Sequence, residues 1–191
     1  MTPPALAVAF AVGLVVAIAA YVVVASYNAI VALRQRIDKA WANIDVVLKQ
    51  RHDQLPNLVA AVRGLMTFER DVLTQVTEAR AAYVPTAPIP DQAATSDATT
   101  SAVRSLFAVV ERYPDLKSQA NVADLQSQIE RLEAMIADRR ELYNDQVYRY
   151  NTTIGQVPGV LLASILGWTR RPFFAADPSD RPRPDTGLGM T

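Results

Sequence analysis

The N-terminal part of the chain is a continuous apolar segment. Residues Ala5 to Ala25 contain no charge and no proline over 21 positions, and the first charged residue of the chain is Arg34. A helix that rises about 1.5 Å per residue covers about 30 Å over this length, which matches the hydrocarbon core of a bilayer. The pattern predicts a transmembrane helix over residues 5–26, preceded by a short extracytoplasmic N-terminus at 1–4.

Two other interpretations of this segment compete with a membrane span. A cleaved secretory signal could place Val23 and Ala25 before a cleavage site at Ser26, but such signals begin with positive charge and have an apolar stretch of about 7–15 residues. Here the start is Met-Thr-Pro-Pro and the apolar stretch is longer. Burial in a large soluble core is the third interpretation, although the chain offers little that could surround such a helix on every side.

The cations near the span predict its orientation, because lysine and arginine beside a span favour the cytoplasmic side. None precedes the span, whereas Arg34, Arg36 and Lys39 follow it closely. We expect a single-pass protein of the cell (inner) membrane with its N-terminus outside and the rest of the chain in the cytoplasm.

Apolar residues after the span recur at helical spacing. Ile30, Leu33, Ile37 and Ile44 are separated by steps of three, four and seven, which indicates one face of an amphipathic helix. Pro56 is the first break, because proline inside a helix removes a hydrogen bond and clashes with the preceding turn. The break predicts either a kink or a chain reversal with Pro56 in the first turn of a second helix, and we favour the reversal.

Three further helices complete the expected fold. The second helix ends at Val84-Pro85, residues 85–100 predict a long mobile connector, and the third helix covers about Ala102 to Tyr113. The fourth helix begins near Asn121, a favourable capping residue, and ends at Gly155 and Pro158. Its apolar residues keep a heptad spacing: Val122, Leu125, Ile129, Leu132, Ile136, Tyr143, Val147, Tyr150 and Ile154. The sequence therefore predicts an all-α protein in which a single transmembrane helix precedes an antiparallel four-helix bundle over 27–156.

An apolar and aromatic segment follows the bundle at 157–174, and a Pro/Asp/Arg-rich tail at 175–191 is predicted to be disordered. The segment is too short to span a bilayer, but it ends in Trp168, Arg170 and Arg171, which suit a membrane interface with anionic headgroups. Up-and-down connectivity would return it to the membrane, so we predict a membrane-proximal segment. The alternative is that Leu161, Leu162 and Ile165 cap the base of the bundle core.

The composition of the chain argues against most classes of biochemical activity. Nineteen basic and nineteen acidic residues give no net charge, so no global field attracts nucleic acid, and we expect no nucleic-acid partner. With one histidine, no cysteine, no glycine-rich phosphate loop and no Glu-x-x-His pair, the sequence predicts no enzyme, no catalytic residue, no metal site and no cofactor.

Polar residues beside the apolar stripes are the remaining candidates for a site. Arg51, His52, Asp53 and Asn57 cluster around the expected turn, and Arg140, Asn144, Asp145, Tyr150 and Asn151 follow in the fourth helix. Such residues either form a hydrogen-bonded network that fixes the helix register or line a groove for a partner. The candidate interaction residues are Arg51, His52, Asp53, Asn57, Trp168, Arg170 and Arg171.

Several short motifs, in order and at characteristic spacing, resemble the bacterial LemA family over Tyr27 to about Phe174. They are Tyr27-Asn28, Leu33 to Trp41, Ile44-Asp45-Val46, Leu48 to Asp53, Leu55 to Val59, Thr77 to Arg80, Tyr113 to Lys117, Leu125-Gln126, Ile136-Ala137, Arg139-Arg140, Tyr143-Asn144, Tyr150-Asn151 and Pro172-Phe173-Phe174. The resemblance implies a membrane-anchored, up-and-down four-helix bundle with no enzymatic activity, and it favours reversal at Pro56. A related type of magnetosome protein is associated with membrane shaping.

Two functions follow as expectations. The first is a non-enzymatic membrane-anchored scaffold, or a membrane-shaping interaction protein, which contacts lipid through its N-terminal helix and associates with further copies of itself. The alternative is a regulatory accessory protein that presents a helical groove around His52 and Asn57 to a membrane partner in signalling or proteolysis.

Overall fold

The computed structural model describes residues 3–63 and 70–175, and within these ranges all regular structure is helical. The helices are α1 (Pro3–Arg63), α2 (Arg70–Ala81), α3 (Ile89–Val110), α4 (Pro114–Lys117), α5 (Ala120–Thr153) and α6 (Gly159–Leu166). The chain divides into two compact units. Unit 1 contains Met1–Ala40 and Asp145–Arg171, and unit 2 contains Trp41–Asn144 and Pro172–Thr191. The tail predicted at 175–191 lies outside the described residues except for Ala175.

Unit 2 is an antiparallel four-helix bundle made of the second part of α1, α2, α3 and the first part of α5. Contacts between α1 and α2 run in opposite directions, since Tyr83, just after α2, bonds to Asp45 and Arg80 bonds to His52. The same holds for α3 and α5, where Asp97 contacts Arg140 and Thr100 contacts Glu133.

The pairing of α1 with α5 closes the bundle. Trp41 packs against Tyr143 with ring centroids 5.7 Å apart, and ten residues further along α1 Arg51 bonds to Glu133. The all-α, antiparallel four-helix prediction is confirmed.

The core of unit 2 is built from the aliphatic positions of these four helices. Its main cluster comprises Leu55, Leu58, Val59, Val62, Leu73, Val76, Ala102, Val103, Leu106, Val109, Val110, Val122 and Ile129. Burying one such side chain stabilises the fold by about 1.5–3 kcal/mol, so the apolar stripes hold the bundle together.

The chain reversal predicted at Pro56 is wrong. Pro56 lies inside α1, which continues to Arg63. An interior proline costs about 3 kcal/mol. Beyond it, however, Leu58, Val59 and Val62 are buried, and their burial as part of one continuous helix outweighs that cost. The next described helix begins only at Arg70.

The mobile connector predicted at 85–100 is also wrong over most of its length, because α3 begins at Ile89. The buried face of its first turns consists of small or polar residues: Gln92, Ala93, Ser96 and Thr99. Pro90 is compatible with the first turn of a helix, where its missing N–H needs no partner. Gln92 Nε2 holds the preceding turn by donating to the carbonyl oxygens of Pro85 and Ala87 at 3.0 and 2.8 Å.

Unit 1 contains the apolar start of α1. Every residue from Val8 to Ala25 is exposed, and this part of α1 is long and apolar enough to cross a membrane. Burial in a soluble core, the third interpretation of the segment, therefore does not apply within the described chain. Further along, the buried residues of unit 1 are Ile30 and Ile37 of α1, Val147 and Tyr150 of α5, Ile154 just after α5, and Ala163 of α6.

Candidate functional site

A buried arginine organises the polar interior of unit 2. Arg51 is 4% exposed, and its guanidinium donates to Glu133 Oε1 at 2.8 Å, Thr100 Oγ1 at 2.9 Å and Ser96 Oγ at 2.9 Å. The Thr100 hydroxyl lies 2.7 Å from the other Glu133 oxygen. These contacts join α1, α3 and α5 in one closed network, which fixes the helix register. Arg51 was a candidate for partner binding, and the structure places its side chain inside the bundle.

His52 faces α2 beside the same network. Its ring lies 5.1 Å from the ring of Tyr83, and Nδ1 is buried without a hydrogen-bond partner in the described part of the chain. Burial lowers the pKa of His52 below 6.5, the charges of Arg80 and Lys49 lower it further, and Asp53 opposes them. Burial raises the pKa of Tyr83, and the negative charge of Asp45 raises it further.

Asp53 and Asn57, the other two candidates near Pro56, are exposed. Asn57 Nδ2 donates to Gln54 Oε1 at 3.2 Å on the same helix. On the neighbouring face, Leu55, Pro56, Val59 and Val76 line an apolar cavity of about 200 Å³ that has Arg63 and Arg80 at its edge.

Two Tyr-Asn pairs, seven residues apart on α5, hold the extended chain after α6. In unit 1, Tyr150 donates to the carbonyl oxygen of Thr169, and Asn151 exchanges two hydrogen bonds of 2.9 Å with the backbone of Arg171. These residues were candidates for lining a partner groove, and in the structure they bind the protein's own backbone.

The second pair makes the same contacts in unit 2. Tyr143 donates to the carbonyl oxygen of Pro172 at 3.0 Å, and Asn144 exchanges two hydrogen bonds with the backbone of Phe174. Phe174 is fully buried against Trp41. Although it belongs to the predicted membrane-proximal segment 157–174, Phe174 is therefore a core residue that is not free to contact lipid.

Among the residues whose exposure the structure describes, strongly exposed apolar side chains outside the candidate span lie on and beside α6 in unit 1. Leu161 is 60% exposed, Ile165 is 81% exposed, and Val157 just before the helix is 79% exposed. The spacing of four places Leu161 and Ile165 on one face of α6, and Val157 precedes the helix. Leu161 and Ile165 are too open to cap the bundle core, whereas Leu162, the third residue of that interpretation, is half-buried.

The opposite face of α6 packs against α1 just beyond the candidate span. A Cβ atom at the buried Gly159 would lie 2.1 Å from the Thr153 carbonyl oxygen and 3.5 Å from the Ile30 side chain, so only glycine permits this approach.

Trp168 follows α6 and is part of an aromatic and cationic cluster in unit 1. Its ring lies 5.7 Å from the ring of Tyr27, and the Arg34 guanidinium lies 5.5 Å above it, a cation–π geometry. Arg171 forms an ion pair with Asp38 at 3.7 Å, whereas Arg170 is exposed. Sequence reasoning selected Trp168, Arg170 and Arg171 but used Arg34 only to orient the span. The seven-residue spacing of Tyr27 and Arg34, which puts both on one helix face, was the signal available.

No group of three or more His, Cys, Asp or Glu side chains that could hold a metal ion occurs among the residues the structure describes. The clusters around Arg51 and Trp168 provide hydrogen bonding, cation–π contact and apolar surface. Contacts of these kinds pack helices together and recognise partner molecules.

Fold and surface together define an all-helical protein with one candidate transmembrane helix and a bundle of four antiparallel helices. The sequence profile of the LemA family matches residues 40–186. This range is most of the chain, so the protein belongs to the LemA family, as the sequence motifs indicated.

Three magnetosome proteins are similar to part of this chain. Magnetosome proteins MamQ 1 and MamQ 2 of Paramagnetospirillum magneticum are each 35% identical to it over 79 residues, and MamQ of Magnetospirillum gryphiswaldense is 32% identical over the same length. Each match covers 41% of this chain and 29% of the relative. The chain therefore corresponds to less than a third of the length of these relatives.

Proposed function

We propose that this LemA-family protein is a non-enzymatic, membrane-anchored scaffold that shapes the membrane to which it is attached. In this proposal residues 5–26 span the inner membrane with the N-terminus outside, and the bundle lies in the cytoplasm. The relatives described above are named magnetosome proteins, and the type of magnetosome protein related to this family is associated with membrane shaping.

The observation that carries the proposal is the pairing of two uncovered apolar surfaces in unit 1. Val8 to Ala25 are exposed along the whole apolar helix, and the outer face of α6 exposes Leu161 and Ile165 beside the next turn of α1. Large exposed apolar surfaces mark membrane or protein contacts, because exposure to water is unfavourable. The span occupies area in both leaflets, whereas a short helix inserted beside it adds area in one leaflet only, and this asymmetry favours curvature.

Self-association would concentrate this effect, and we include it in the proposal. Curvature on the scale of a vesicle requires many copies, so we expect the full chain to form oligomers in membranes. Chemical cross-linking in native membranes tests this part separately, and a chain that stays monomeric at high density contradicts it.

Imaging of membranes from cells that overproduce the protein tests the proposal. We expect vesicles or tubules with the wild type and with a Val46→Ser/Leu142→Ser control, which removes exposed apolar side chains from unit 2. A Leu161→Ser/Ile165→Ser variant should not form them. Deletion of residues 157–174 is a poorer test, because it removes the buried Phe174. Unchanged membranes with abundant wild-type protein in the membrane fraction contradict the shaping role.

A second candidate function is a regulatory accessory protein. The apolar cavity formed by Leu55, Val59 and Val76, with Arg63 and Arg80 at its edge, favours a partner segment that combines apolar and acidic side chains. Proximity labelling tests it: one dominant membrane partner, lost in an Ala60→Arg variant that changes an exposed residue of the cavity lining, favours regulation over shaping. Diffuse labelling contradicts it.

A further inference from the structure

A cavity of about 380 Å³ lies in unit 1 between α1 and the end of α6, and we propose that it binds the phosphodiester headgroup of a membrane phospholipid. Its walls are Tyr27, Val31, Arg34, Asp38, Leu166 and Trp168, together with Gln35. The size is within the range of ligand pockets, about 300–1,000 Å³. This inference rests on the proposed membrane anchoring and adds a specific lipid site to it.

The position of the cavity along α1 matches the headgroup layer. Tyr27 follows Ala25 by two residues, about 3 Å along the helix axis. The hydrocarbon core is about 30 Å thick and the whole bilayer about 40–45 Å, which leaves about 5–8 Å for the headgroups of each leaflet. The end of the cavity at Tyr27 therefore lies within the headgroup layer.

Arg34 supplies the charge that a phosphate requires. Helical side chains lean toward the helix N-terminus, which here is the side of the span, and the Arg34 guanidinium lies over Trp168, whose ring is next to Tyr27. Among the described residues no carboxylate lies within ion-pair distance of Arg34, while Asp38 is paired with Arg171. A guanidinium with free donors in a fixed plane suits phosphate oxygens.

The surfaces around the cavity match the rest of a lipid. Tyr27 and Trp168 are the residue types that occupy the boundary between headgroups and acyl chains. Leu166 borders the cavity and is partly exposed, and Leu161 and Ile165 on the same short helix are open. The acyl chains of a lipid whose phosphate contacts Arg34 would cover this apolar face of α6, which packs beside α1 near Ile30.

Lipid retention by the full chain tests the site. The protein is reconstituted into nanodiscs of equal parts phosphatidylcholine and phosphatidylglycerol, released, and weighed by native mass spectrometry to count retained phospholipids. We expect the wild type to retain lipid, and Arg34→Gln to retain about tenfold less, because a charge-assisted contact is lost. Arg36→Gln, the same change two positions along on an exposed arginine, should retain as much as the wild type.

Further measurements of lipid retention distinguish the possible results. Arg34→Lys should retain more lipid than Arg34→Gln because it keeps the positive charge. If the two variants lose the same amount of bound lipid, the proposed phosphate site is overturned, even where Arg34→Gln also lowers stability. Excess inorganic phosphate should leave retention unchanged, and displacement by it overturns the assignment to lipid. Equal retention by Arg34→Gln and Arg36→Gln overturns the proposal while anchoring stands. Failure of the wild type to enter nanodiscs contradicts the anchoring itself.

Discussion

The side chain of Arg80 on α2 donates a hydrogen bond from Nε to the carbonyl oxygen of His52 on α1 at 3.3 Å. In a continuous helix this oxygen would accept from the N–H of residue 56, and Pro56 has none. Arg80 therefore supplies the donor that the proline lacks. This contact is part of the reason α1 continues through Pro56.

We predict that Arg80→Met destabilises the protein by about 1 kcal/mol, because the partly buried carbonyl of His52 loses its donor. Pro56→Ala restores an N–H at that position, so the Arg80→Met change should cost less in the Pro56→Ala background. Thermal unfolding of the full chain in detergent, followed by circular dichroism across the double-mutant cycle, measures the coupling.

Arg70→Met, which alters an exposed arginine on the same helix, is the matched control and should change stability little. Equal costs of Arg80→Met in both backgrounds would show that Arg80 does not replace the missing donor.

The single histidine of the chain allows a direct pKa measurement. We expect NMR titration to give His52 a pKa below 6.5, because burial disfavours the imidazolium and Arg80 and Lys49 add repulsion. Arg80→Met should raise this pKa while leaving it below 6.5, since burial is the larger cause. A value at or above 6.5 in the wild type would contradict the described environment.

The same shift predicts how stability depends on pH. A histidine whose pKa is lower in the folded state binds its proton more readily in the unfolded state, so stability is greatest above pH 6.5 and falls as the pH drops through it. His52→Gln should flatten that part of the profile. The difference between the wild-type and His52→Gln profiles isolates the contribution of the imidazole, which lies next to Asp53, Lys49, Arg80 and Tyr83. A slope that persists in His52→Gln belongs to another group.

Breaking the Arg51 network should be costly. Arg51→Met leaves Glu133 and Thr100 without their buried partner, and we expect a loss of about 3 kcal/mol in thermal unfolding. Adding Glu133→Leu removes the unpaired charge, so the double variant should be more stable than Arg51→Met alone. If the loss of stability in the double variant equals the sum of the losses caused by Arg51→Met and Glu133→Leu alone, the two residues act independently.

The Asn151 clamp predicts protection of the chain that follows α6. Asn151→Ala removes both hydrogen bonds to the Arg171 backbone, so trypsin should cleave after Arg170 faster than in the wild type. Asn57→Ala, an exposed asparagine whose side chain bonds only within its own helix, is the control and should leave the rate unchanged. Equal cleavage rates in all three proteins would argue against the clamp.

The predictable parts of the fold were those with large aliphatic residues at regular spacing. The part of α1 between the candidate span and Pro56 and nearly the whole of α5 follow from Ile37, Ile44, Ile129 and Ile136, because helical periodicity is strong where the buried residues are large. The start of α3 was missed because Ala93, Ser96 and Thr99 on its buried face resemble a loop in composition. The continuation of α1 through Pro56 was not predicted, because the donor that replaces the missing N–H belongs to Arg80, which lies on a different helix.

The candidate site was predictable only in part for the same reason. Trp168 and Arg171 were identified by type and by their place after an apolar segment. The contact of Trp168 with Arg34 joins residues far apart in the chain, and no local pattern in one sequence indicates such a pair. The role of Asn144 and Asn151 as clamps on the backbone likewise depends on where the chain after α6 returns.

The central claim is that residues 5–25 remain in the lipid and anchor a folded helical domain. Alkaline extraction of membranes from cells producing the protein at native level, followed by mass spectrometry of its N-terminal peptide, tests this claim most directly. We predict that the protein stays in the membrane pellet with residues 5–25 intact. A protein found in the soluble fraction with Ser26 as its first residue would contradict the account.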